Sequence, residues 1–177
     1  VLGLVAGTLF AVVAVKLYLW IRSARNDAMA YMAQLTGSGE RDNRIRILAV
    51  IPSLQTGGAE KVFLNLYKNI DKTRFDVIAL TYLSDGIMEQ DFLQAKANGV
   101  RFIFKDNSDR ARLVTRQENF TRWFLQRLVM SFRQPLKTFF LYRMLSPDIV
   151  HVHTPAGVYN FVKKVIARLA GIRHSIT

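Results

Sequence analysis

The chain has 177 residues, half of them hydrophobic, with no cysteine and a formal net charge of +12. That length suffices for one domain plus an appendage, and the missing cysteines exclude disulfide and thiolate chemistry and fit a reducing compartment. So basic a chain calls for an acidic partner: nucleic acid, an anionic membrane surface or phosphorylated substrates.

Val1 to Ile21 is apolar apart from Lys16 and the small Gly3, Gly7 and Thr8. As a helix it would be about 31 Å long, roughly the hydrocarbon thickness of a bilayer. Tyr18 and Trp20 stand where an interfacial aromatic belt belongs, Lys16 can snorkel, and Arg22 and Arg25 follow at once. The expectation is a single transmembrane helix over 1–21 in the inner (cell) membrane, with everything after it cytoplasmic. The rival is a signal peptide cut at Ala28-Met29-Ala30, for which the apolar run is long. A buried core helix would show a polar face, and this segment shows none. Residues 22–43 read as a juxtamembrane helix and linker, with Gly37-Ser38-Gly39 in the middle.

The domain is expected from residue 44. Ile45 to Ile51 is a β-branched apolar run, hence a buried strand that Pro52 ends. Gln55-Thr56-Gly57-Gly58 reads as a glycine turn, and from Ala59 the apolar residues Val62, Phe63, Leu66, Tyr67 and Ile70 recur at helical spacing. Such a turn puts bare backbone N–H groups at the positive end of a helix, which favours an anionic ligand. It has neither the GxGxxG spacing nor a GK[ST] ending, so alone it is equally a plain strand-to-helix turn.

Phe75 to Tyr82 reads as a second strand, Met88 to Ala97 as a helix closed by Asn98-Gly99, and Val100 to Phe104 as a third strand. Between Arg110 and Arg143 eight Lys or Arg face one acid, Glu118, interleaved with Phe120, Trp123, Phe124, Phe132, Phe139 and Phe140. Pro135 is expected to divide this stretch into two helices. Its composition suits an interfacial membrane binder, or a crossover helix whose basic face is simply solvated. Nucleic acid is the other use for such a patch; a spanning segment upstream already brings the chain to an anionic surface, so none is expected.

Ile149 to His153 is the fourth strand, Thr154 to Gly157 a loop, Val158 to Ala170 a helix capped by Gly171, and His174 opens a fifth strand. The chain stops at Thr177 inside that strand and starts at Val, so it reads as a fragment. Alternating strands and helices give an α/β class: a Rossmann-like parallel sheet with flanking helices. His151 and His153 share one strand face, but a metal site needs a third ligand, and His174 falls at the opposite sheet edge. In a 3-2-1-4-5 order, the Gly57-Gly58 turn and His153 face one crevice at the topological switch point. His151 reads as a core histidine with a backbone partner.

IPSLQTGGAEKVFLNL, FDVIALTY and SPDIVHVHTPAGVYNFVKKVIARLAGI, over roughly residues 44–177, resemble the N-terminal half of family 4 glycosyltransferases of the GT-B fold. The resemblance implies an acceptor-side domain, incomplete at its C-terminal end, of an enzyme that moves a sugar from a nucleotide-sugar with retention of configuration. It implies no cofactor and no metal. Gly57 and Gly58 would bring N–H groups to the donor diphosphate, His153 would contact the transferred sugar as the catalytic residue, and Thr154 would join the substrate site. Glu60 matches the motif, yet an acid is favoured in a first helical turn anyway. The family's Glu-x7-Glu signature has no counterpart among Glu40, Glu60, Glu89 and Glu118. The donor-binding half is therefore expected elsewhere, and residues 1–177 alone are expected not to turn over. The anchor and basic stretch suggest a lipid-linked or cell-surface glycan as acceptor. The alternative is a non-catalytic, membrane-tethered Rossmann-like binding module.

Overall fold

The computed structural model describes residues 2–35, 43–51, 57–81, 89–104, 120–153 and 158–176, with the helical residues 2–10, 89–90, 120, 122–132 and 158–160 described as backbone. The elements are α1 (Leu2–Met32), β1 (Ile45–Ile51), α2 (Gly58–Lys68), β2 (Phe75–Thr81), α3 (Glu89–Ala97), β3 (Arg101–Phe104), α4 (Phe120–Leu145), β4 (Ile149–Val152), α5 (Val158–Leu169) and β5 (His174–Ile176). The five strands form one parallel sheet in the order β3-β2-β1-β4-β5, the expected order.

β1 and β2 are buried on both faces, which is why they are nearly unbroken apolar runs instead of alternating ones. Ile47, Ala49, Val77 and Ala79 meet Phe63, Leu64 and Tyr67 of α2 and Ala95 of α3 on one face. Leu48, Val50, Ile78 and Leu80 meet α4 (Leu141, Tyr142, Leu145), the segment Ile166–Ile172 around the end of α5, and Ala28 and Tyr31 of α1 on the other. The crossovers that lead to β2 and β3 (α2, α3) and those that lead to β4 and β5 (α4, α5) therefore lie on opposite faces, the doubly wound arrangement. Gly99 and Gly171 close α3 and α5 with φ of 85° and 86°, the left-handed conformation that glycine adopts without steric cost.

Three charged residues inside the strands form one cluster. Asp76 accepts from Arg46 Nε at 2.9 Å and from Arg101 Nη2 at 2.5 Å, while Arg46 Nη1 caps the last turn of α4 at the Leu145 carbonyl, 3.0 Å away. One buried carboxylate thus joins β1, β2 and β3, and its arginine ties them to α4.

Three expectations change. Pro135 does not divide α4, which runs unbroken from Phe120 to Leu145. A proline inside a helix costs about 3 kcal/mol; this helix is held by the packing of Leu141, Tyr142 and Leu145 on the sheet and, either side of Pro135, by Arg133 and Lys137 reaching Asp27 of α1, at 3.2 and 2.6 Å. Second, the expected juxtamembrane helix is one piece with the apolar segment in α1, which runs through Met32, and it packs on the domain, with Ala24, Ala28 and Tyr31 buried. Packing therefore extends the domain back into the stretch assigned to a juxtamembrane linker; residues 36–42 lie outside the described ones. Third, α1 is the expected helix, but among the described residues no helix is long and apolar enough to cross a membrane. From Ala11 only eleven residues remain before Arg22, and the side chains of 1–10 lie outside those described.

Candidate functional site

The crevice at the carboxyl edge is built by β1, β4 and α2. β1 and β4 are parallel neighbours with Ala49 opposite His151 and Val50 opposite Val152. His153 extends the ladder by one bond, its N–H donating to the Val50 carbonyl at 2.8 Å. Because side chains alternate across a strand, His151 and His153 both stand on the α2 face. The His153 ring meets Phe63 of α2 edge-on at 5.8 Å between centroids, and His151 at the same separation.

Gly57 is the N-cap of α2, with extended backbone (φ −160°, ψ 162°) and no side-chain cap. Its carbonyl accepts from the Lys61 N–H at 3.1 Å, the first bond of the helix. A Cβ on Gly57 would collide with the Glu60 carboxylate, so Glu60 folds back over the first turn. Gly58 is exposed and a Cβ there would meet nothing within 4 Å. The open approach to the α2 N-terminus is thus at Gly58, and the side nearer Gly57 carries a negative charge. Gly57 and Gly58, at the start of α2, and His153, one residue past β4, lie at the same edge and on the same face of the sheet. Thr154, the other expected substrate residue, lies outside the described residues, as do 52–56 of the turn.

His151 differs from its expected role as a histidine with a backbone partner. Its Nδ1 lies 2.5 Å from the Tyr67 hydroxyl, a side-chain partner from α2. Burial, and then the charge on His153, hold the His151 pKa below its ordinary 6.5. Burial pushes Tyr67 upward, which keeps it a phenol with a proton to give. A neutral imidazole accepting at Nδ1 carries its own proton on Nε2. Beneath the exposed edge there is accordingly an uncharged Tyr–His pair backing His153.

Sequence reasoning placed Tyr67 only on the apolar face of α2. Its hydroxyl was the available signal, since a buried phenol requires a partner. Lys163 was also missed. It shares the inner face of α5 with Ile166, Ala167 and Ala170, and burial pushes its amine down to about 8.

At the opposite edge an open cleft of about 850 Å³ is lined by Ile45, Arg143, Asp148, Gly171, Arg173 and His174 among others. It receives the C-termini of α4 and α5, whose dipoles are negative, and Arg143 already reaches the Ala170 carbonyl at 3.5 Å. Arg143 thus serves a helix end, and the carboxyl edge, where strand ends and a helix N-terminus converge, is the stronger candidate. Among the described residues no cluster of His, Asp and Glu could hold a metal ion, and His174 pairs with Ile149, at the amino end of β4 away from His153. No protein-family model matches the chain, and no curated protein is significantly similar to it.

Proposed function

We propose that this chain is the anchor and acceptor-side domain of a GT-B glycosyltransferase, which moves a sugar from a nucleotide-sugar to a lipid-linked or cell-surface glycan at the cytoplasmic face of the inner membrane. The observation that carries the reading is the meeting of the Gly57-Gly58 turn and His153 across the β1/β4 switch point, on one face. Ligands of open parallel sheets bind there because helix N-termini and strand ends converge on it.

In this reading the Gly58 approach offers N–H groups to the donor diphosphate, opposing the charge that develops on the leaving group. His153 contacts the transferred sugar, Thr154 joins the substrate site, and the Tyr67–His151 pair keeps a second positive charge away from His153. No metal or cofactor has a role. α1 anchors the chain at the membrane, with the domain cytoplasmic, and the donor-binding domain with its Glu-x7-Glu lies outside residues 1–177.

The test is transfer of labelled sugar from a panel of nucleotide-sugars to a membrane lipid extract by the full-length protein. Transfer is expected, with a loss of roughly 10²-fold in His153→Ala, the order for removing one preorganised contact to developing charge. Undiminished transfer in that variant would overturn the role of His153. Glu60 over Gly57 favours one rival, a non-catalytic membrane-tethered Rossmann-like module, because the acid stands where a diphosphate would approach. Binding of nucleotide-sugar without transfer would establish that rival.

A further inference from the structure

We infer that the amino-terminal end of α1 forms a stalk seated in an anionic bilayer, with α4 leaving the domain on the same side, so that the carboxyl edge of the sheet faces the membrane surface. The inference rests on the membrane-anchored reading above and adds to it the side of the domain that meets the lipid.

Direction comes first. α4 leads from the carboxyl end of β3 to the amino end of β4, so it runs antiparallel to the strands, with its N-terminus beyond their carboxyl ends. Its last half packs on the sheet; the residues before Arg133 add about 20 Å of helix on the carboxyl-edge side. α1 runs the same way. Ser23 and Asp27 meet Arg133, Asp27 also meets Lys137, and Met32 and Leu35 lie beside Met144 and Leu145. Residue numbers rise together in both helices, so the pair is parallel and both amino ends leave past the crevice edge.

The occupant follows from the surface of α1. Val12, Val13, Val15, Leu17, Tyr18 and Leu19 are all exposed, by 51 to 62%. Successive helical residues are about 100° apart, so these six leave no side of the cylinder covered. One protein partner covers one face; a collar apolar all round except for exposed Lys16, whose ammonium can snorkel to the headgroups, fits a surrounding apolar medium. Exposed Arg22 and Arg25 follow immediately, placed for anionic headgroups. From Ile21 to Ala28, the first α1 residue in the sheet core, is about 10 Å of helix. With so short a stem the carboxyl edge lies close against the headgroups, and the crevice is open to a substrate carried by a lipid.

The absence of native cysteine allows single-cysteine labelling of the full chain. Ala59→Cys reports the carboxyl edge, in the first turn of α2; Lys96→Cys reports the amino edge, in the last turn of α3. Both are exposed and lie on the same sheet face. Each is given a fluorophore and mixed with phosphatidylglycerol-containing vesicles bearing a headgroup nitroxide. The expected result is a clear loss of fluorescence at 59 and a smaller loss at 96. Glutamine at both 22 and 25 is expected to lower partition into these vesicles by roughly fivefold per charge. Equal or reversed quenching overturns the orientation and leaves the sugar-transfer reading standing. No binding to the vesicles overturns the stalk altogether. A normal quenching pattern from a protein that transfers no sugar sustains this inference and removes the enzymatic one.

Discussion

Tyr67 and His151, 84 residues apart in sequence, share a 2.5 Å hydrogen bond between the phenol oxygen and Nδ1 across the α2–β4 interface. The phenol donates to an imidazole held neutral, so the bond belongs to one protonation state. Tyr67→Phe is expected to cost about 1–2 kcal/mol at pH 7.5, the order for leaving a buried acceptor unpaired. Native His151 has a pKa below its ordinary 6.5, so as pH falls through that value the unfolded chain takes up a proton that the native state resists. Stability is therefore lost as pH falls. Protonation at Nδ1 also ends the acceptor role, so the gap between wild type and Tyr67→Phe is expected to narrow toward pH 5. Denaturant melts at several pH values would show it; a gap constant with pH would sink the assignment.

Gly58 separates folding from ligand approach. It lies in the first turn of α2 with free space where a Cβ would stand. Gly58→Ala is expected to stabilise the chain by up to about 1 kcal/mol, because alanine loses less backbone entropy in a helix. If a diphosphate approaches that backbone, the same methyl group obstructs it. Inorganic diphosphate is thus expected to raise the melting temperature of wild type more than that of Gly58→Ala. Equal shifts in both would remove the turn from the site.

Strands, their parallel order and the Gly57–His153 convergence were legible because they rest on local signals: β-branched runs, a glycine turn and helical periodicity. The unbroken α4 was not. Pro135 is a local signal for a break, and what holds the helix together is long-range: its packing on the sheet and its contacts with α1, Asp27 among them, more than a hundred residues earlier in the chain. The place of α1 was half legible. Its apolarity was plain, but that Ala24, Ala28 and Tyr31 pack inward depends on small residues at helical spacing, which the strongly apolar run before them masks. Asp76 had no signal beyond being an acid in a strand; both its partners lie on neighbouring strands.

Lys163 gives a pH dependence of its own. Its folded pKa of about 8 lies below the ordinary 10.5. Between those values the unfolded chain holds a proton that the native state has released, so stability rises with pH through that window. Below about 8 both states are charged and the cost of burial is fully present. Lys163→Met is expected to gain about 1–3 kcal/mol at pH 7, with the gain shrinking as pH approaches 10.5. A loss of stability at pH 7 would mean that the contacts of the ammonium group outweigh its desolvation.

Asp76 tests whether the amino edge of the sheet is held by charge. Arg46 and Asp76 are both buried, and Arg46 also caps α4. Asp76→Ala removes the anion and leaves a guanidinium in the core, a change that costs about 3–5 kcal/mol when a buried pair is broken from one side. The double variant Arg46→Met, Asp76→Leu removes both charges, and apolar replacements of buried pairs are often neutral. It is expected to recover most of that loss, less the α4 cap at Leu145 and the ion pair of the partly exposed Arg101. Chemical denaturation of the two variants decides the point. Were the double variant as unstable as the single, the pair would matter through its geometry, tying β1 to β2 and α4, and the unpaired charge would not be the cause.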